Sequence, residues 1–119
     1  MKKLTFGFLL MIVCSSCYYD VEEELYLSIE CSTTDMSYQN DILPIISNNC
    51  FNCHNAASNF GGVTLEGFST LKTYVDNGQL LGVIKHESGF SPMPKNSPKL
   101  LECEIEKIDA WINSGAPNN

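Results

Sequence analysis

Positive charge is scarce in this chain: its 119 residues carry 7 basic side chains against 14 acidic ones, a net charge of -7. Without a basic face nothing neutralises phosphate, which excludes nucleic acid as a partner. Strand signals are also missing, since no segment alternates apolar and polar residues for long. There are no internal repeats, and the length leaves room for one small domain. No apolar run is long enough for a bilayer: the longest, Leu4 to Val13, covers about ten residues where a span takes about 20. A domain of this size buries a modest core and gains security from a disulfide, a metal or a bound group.

What is present begins with the leader. Met1-Lys2-Lys3, the apolar run and the small residues Ser15 and Ser16 have the layout of a secretory signal peptide. Cys17 follows Ser16 directly, which resembles the lipobox of bacterial lipoproteins, although Cys14 stands where that motif prefers leucine. The resemblance implies cleavage after residue 16, a lipid on Cys17, and an exported protein anchored to a membrane and facing the periplasm or cell surface. The alternative is an ordinary cleavage nearby and a soluble product. Residues 17–37 carry Asp20, Glu22, Glu23, Glu24 and Glu30 without sustained periodicity, as expected of an acidic tether.

The expected domain occupies 38–119 and is all-α. Asp41 is a candidate N-cap with Pro44 in the first turn, and Ile42, Ile45 and Ile46 line one face of a helix running towards Cys50. A second helix is expected from Ser69, with Leu71, Tyr74 and Val75 on one side and Asn77-Gly78 to stop it. A short apolar helix at Leu80 to Ile84 follows. The last helix places Leu101, Ile105, Ile108 and Ile112 at helical spacing, flanked by Trp111, and ends at Gly115 and Pro117. Val63 and Leu65 join Ile42, Ile45, Ile46, Ile105, Ile108 and Trp111 as candidate core residues.

Chemistry concentrates in Cys50-Phe51-Asn52-Cys53-His54, a C-x-x-C-H motif of the kind that attaches c-type haem. Cysteines three apart on a helical turn face the same way, so both thiols reach the vinyl groups of one porphyrin while the next residue, His54, meets the iron. Two other chemistries use similar residues. A thioredoxin-like pair needs a preceding strand in a βαβ unit, and a zinc site needs four donors, which only His86 or Cys31 and Cys103 can complete. For the sixth iron ligand two methionines follow the leader, Met36 and Met93. Met93 lies between Pro92 and Pro94, which stiffen an extended loop able to present a thioether. His86 is the alternative donor. Cys31 and Cys103 remain, and in an oxidising compartment they are expected to form a disulfide, with two unrelated thiols as the other reading.

From Tyr38 to Asn119 the chain resembles class I cytochrome c: a helix leading into the Cys50 to His54 motif, loops, Pro92-Met93-Pro94, and a closing helix before Gly115-Ala116-Pro117. Gly61-Gly62-Val63-x-Leu65, Ser91-Pro92-Met93-Pro94-Lys95 and Trp111 to Pro117 are similar to short lipoprotein cytochromes of the Bacteroidetes type. The resemblance implies helices packed around one covalent haem c, with Cys50 and Cys53 bound to the macrocycle and His54 and Met93 to its iron. A haem with both axial positions filled passes electrons and binds no substrate, so the implied role is a single-electron carrier and not an enzyme. The alternative is a haem enzyme or gas sensor with an open axial site. Partners are expected to be redox proteins in transient complexes, and the acidic charge favours a basic docking patch on them.

Overall fold

The computed structural model describes residues 31–119, so the expected leader, Cys17 and the expected tether up to Glu30 lie outside the described residues. Residues Cys31–Asn119 form one compact unit, and among them the chain is all-α, with no strand. No helix there is long and apolar enough to cross a membrane.

Ser37 opens the helical structure, which corrects the expectation that Asp41 caps it. Ser37 is extended (φ -99°, ψ 135°), and its hydroxyl accepts the Asn40 N–H at 3.3 Å. Asp41 works in reverse, its carboxylate accepting the Ser37 N–H at 2.9 Å. The two side chains thereby satisfy two donors that a helix start leaves without partners. A wide π-type turn, Tyr38–Ile42, leads into α1, Leu43–Asn49, where Pro44 falls in the first turn and no backbone donor is needed. Cys50 (φ -120°, ψ -36°) breaks the line between α1 and the single turn α2, Phe51–His54. A 3-10 turn at Phe60–Gly62 precedes α3, Phe68–Asp76, and α4, Gln79–Ile84, which are separated only by Asn77 and Gly78.

α5, Glu102–Asn113, buries Ile105, Ile108 and Trp111. Leu101, expected on that stripe, instead precedes the helix in extended conformation (φ -56°, ψ 141°) and is 73% exposed, while Leu100 is buried. Adjacent residues of an extended segment point to opposite sides, so helical spacing stops predicting burial at the helix boundary. Ile112, also expected on the stripe, is half-buried, as is the candidate core residue Val63. The helix ends on Gly115 at φ 97°, with the Ala116 N–H donating to the Trp111 carbonyl and the Gly115 N–H to that of Ile112, both at 2.9 Å. That is the Schellman arrangement, and its left-handed residue is glycine at no steric cost.

The core gathers around Trp111, Ile108, Ile42 and Leu71, all at 0% exposure. The Tyr38 ring stacks on Trp111 with centroids 5.9 Å apart and meets Phe68 edge-on at 5.0 Å, so three elements share one aromatic cluster. The two ends of the unit are tied together. Asn119 accepts the Gln39 N–H and the Ser37 hydroxyl on its backbone oxygen, each at 3.0 Å, and the Tyr38 N–H on its side chain at 2.9 Å. Cys31 is bonded to Cys103, their Cα atoms 5.5 Å apart across a separation of 72 residues. The link holds the start of the unit against the first turn of α5. Loop closure of that length restrains the unfolded chain by on the order of 4 kcal/mol, an upper figure if another covalent group already restrains it. Cys31→Ser should therefore lower the thermal midpoint, and non-reducing peptide mapping of the native protein should recover a peptide joining Cys31 to Cys103; two alkylatable thiols there would contradict the bond.

Candidate functional site

The Cys50 to His54 motif faces a cleft of about 1270 Å³, above the range of roughly 300 to 1,000 Å³ common for small-molecule sites. Cys50, Cys53, His54 and Met93 all line it. Much of the remaining wall is apolar, including Val63, Leu65, Tyr74, Leu80 and Val83. Phe60 and Leu101, large apolar side chains left 70% and 73% exposed, also lie on this cleft. An apolar surface concentrated in one concavity marks a place for a bulky apolar ligand.

His54 is held at two points by the segment that follows it. Its ring Nδ1 lies 3.2 Å from the Val63 carbonyl, and its own backbone oxygen accepts the Leu65 N–H at 2.8 Å. A carbonyl oxygen only accepts, so Nδ1 is the donor, and in the neutral ring the lone pair is then on Nε2, the arrangement in which a histidine is oriented to bind a metal. The loop after it is ordered by Asn55, whose side-chain oxygen accepts the Ala57 and Ser58 N–H groups at 2.8 and 2.6 Å.

Cys50 and Cys53 are both free thiols, the first half-buried and the second exposed. Burial, with the Glu104 carboxylate adding to it, pushes the Cys50 thiol up to about 11. Glu104 is held nearby by the Asn49 amide at 3.3 Å and by the Leu101 N–H at 3.2 Å. A thiol exchanging disulfides by thioredoxin-like chemistry works from a lowered pKa, the opposite direction, and no strand precedes the motif among the described residues. Nor do three or more His, Cys, Asp or Glu side chains converge among the described residues, so a zinc site of the usual kind lacks its donors there.

No family model, curated protein or solved structure matches the chain.

The site therefore rests on its own residues. Of the two methionines in the described unit, Met36 is buried in the core, 8% exposed, and only Met93 lines the cleft. Met93 is fixed through its backbone, its N–H donating to the Val83 carbonyl and its carbonyl accepting from His86 Nε2, both at 3.0 Å. His86 itself does not line the cleft. Its part as a brace, and that of the Val63 and Leu65 backbone, were not legible in the sequence. Gly82 carried a signal that could have been used, since a lone glycine inside a helix often marks close packing. A Cβ there would lie 2.5 Å from the Phe90 ring, and Phe90 forms part of the cleft wall.

With both thiols unmodified, iodoacetamide should alkylate exposed Cys53 well before Cys50, and the Cys50 rate should rise with pH towards a midpoint near 11. The same shift predicts the sign of the stability change. The unfolded thiol ionises around its ordinary value of 9.0 while the folded one stays neutral to about 11, so stability present below pH 9 should decline between those values.

Proposed function

We propose that the protein is a mono-haem c-type cytochrome of class I fold, acting as a single-electron carrier anchored to a membrane through lipid on Cys17. The observation that carries the reading is the two-point hold on His54, which leaves Nε2 free on a large apolar cleft that two unpaired cysteines also line. A porphyrin is bulky and apolar, and the chemistry of the donors fits it: two thiols for thioether bonds, an imidazole and a thioether for iron. Cys50 and Cys53 would hold the macrocycle, and His54 and Met93 the iron. When bound, haem supplies reversible one-electron chemistry, at a higher potential with methionine as axial ligand than with a second histidine.

The chain's own contribution is positional. Val63 and Leu65 orient the imidazole, and the apolar part of the cleft wall would keep water from a bound macrocycle. With His54 and Met93 both holding the iron, no position would be left for a substrate, which favours a carrier over an enzyme or gas sensor. The partner would then be another redox protein met transiently at the cleft edge. The overall acidic charge favours a partner with a basic patch, because opposite charges raise the encounter rate.

Purified from a host competent for c-type maturation, the protein should carry one haem that acid acetone does not extract, with a mass raised accordingly. Colour lost to the solvent, or a mass without the group, would end the reading. Met93→Ala should keep the haem while its reduction potential falls and the reduced protein gains carbon monoxide binding. Rapid carbon monoxide binding by the unaltered protein would favour the open-site enzyme or sensor instead.

A further inference from the structure

α4 and α5 both close with a bond from the second residue after the cap to a carbonyl five residues back, while the second bond of the α5 pair has no counterpart in α4, where the Val83 carbonyl accepts from Met93 instead. In α5 the left-handed residue after the cap is Gly115. In α4 the corresponding bond runs from the Glu87 N–H to the Gly82 carbonyl at 3.0 Å, and the left-handed residue is His86, at φ 56°. Glycine adopts that conformation freely, whereas a side chain with a Cβ is strained in it. An imidazole thus stands where the backbone favours glycine, and strain of this kind points to a job for the side chain. His86 Nε2 donates to the Met93 carbonyl at 3.0 Å, and the carbonyl leaves no other role for that nitrogen. The Met93 N–H donates in turn to the carbonyl of Val83, in the last turn of the same helix.

That helix end is a firm support. Lys85 pairs with Asp109 of α5 at 2.6 Å, and Phe90 packs on Gly82 closely enough to forbid a methyl group there. Met93 is therefore hung by both of its backbone polar groups from a helix terminus fixed to the core. We infer that His86 is a positioning residue that holds the Met93 thioether on the cleft, and that without its imidazole the bond from Met93 to iron opens more often. This inference rests on the reading of Met93 as an axial ligand.

The test compares the haem-loaded protein with its His86→Gly and His86→Gln variants. Glycine relieves the backbone strain while removing the donor, so the fold is preserved, and glutamine restores a donor of similar reach. In the unaltered oxidised protein a near-infrared band from methionine bound to iron(III) should be present. In His86→Gly the band should weaken, and carbon monoxide binding to the reduced protein, limited by release of Met93, should quicken about tenfold, as expected for one lost hydrogen bond. Exchange of the Met93 amide proton should quicken with it, and His86→Gln should recover both. A band in the unaltered protein that persists in His86→Gly, with binding rates within about twofold, would overturn the role of His86 and leave Met93 as ligand. Absence of the band from the unaltered protein would remove the Met93 assignment and this inference together. A weakened band that glutamine fails to restore would assign the effect to the backbone and likewise overturn the inference.

Discussion

Trp111 is fully buried, and its surroundings organise most of the unit. Its ring packs with Tyr38 from the opening turn and Phe68 from α3, and its indole N–H donates to the Pro117 carbonyl at 3.0 Å, folding the chain end back over the helix. Removing an aromatic side chain of this size from a close-packed core costs about 3 to 5 kcal/mol, a large share of a small domain's stability. Because Tyr38 leads into α1 and α1 into the Cys50 to His54 turn, the same cluster sets where the motif stands relative to α5. The Asn49 to Glu104 hydrogen bond and the burial of Cys50 follow from that seam.

The two side chains His54 and Met93 on the cleft are held by a different device. Beyond the local bond from the His54 N–H to the Cys50 carbonyl at 2.9 Å, His54 and Met93 are each restrained by one backbone bond to a separate segment and one imidazole-to-carbonyl bond. The partners are Val63 and Leu65 for the first, Val83 and His86 for the second. Such bonds contribute about 1 kcal/mol each to stability, but they are directional, and direction is what a donor on a cleft needs.

A small unit that leaves so large an apolar concavity gives up core that it would otherwise bury. The Cys31 to Cys103 bond and the contacts of Asn119 with Ser37, Tyr38 and Gln39 join the two ends of the unit and offset part of that loss. The proposed haem would supply the rest by filling the cleft, which would give the Cys50 to His54 motif a structural as well as a chemical purpose.

By itself the sequence determined the helical class, the stretch from Ile105 to Trp111 as a buried face, the glycine stop at Gly115, and the grouping of two thiols with a histidine at Cys50 to His54. These follow from periodicity, turn chemistry and covalent spacing, which act over a few residues. The Cys31 to Cys103 bond was expected from the cysteines left over by the motif and is present, but only the tertiary structure decided that Ser37 and not Asp41 caps the first turn and that Leu101 faces the cleft while Leu100 enters the core. It also separated Met93 on the cleft from Met36 in the core, and made His86 a brace on the Met93 loop. Each of these depends on groups brought together from separate segments, or on the exact point where a helix begins, and neither is encoded in the local pattern of polar and apolar residues.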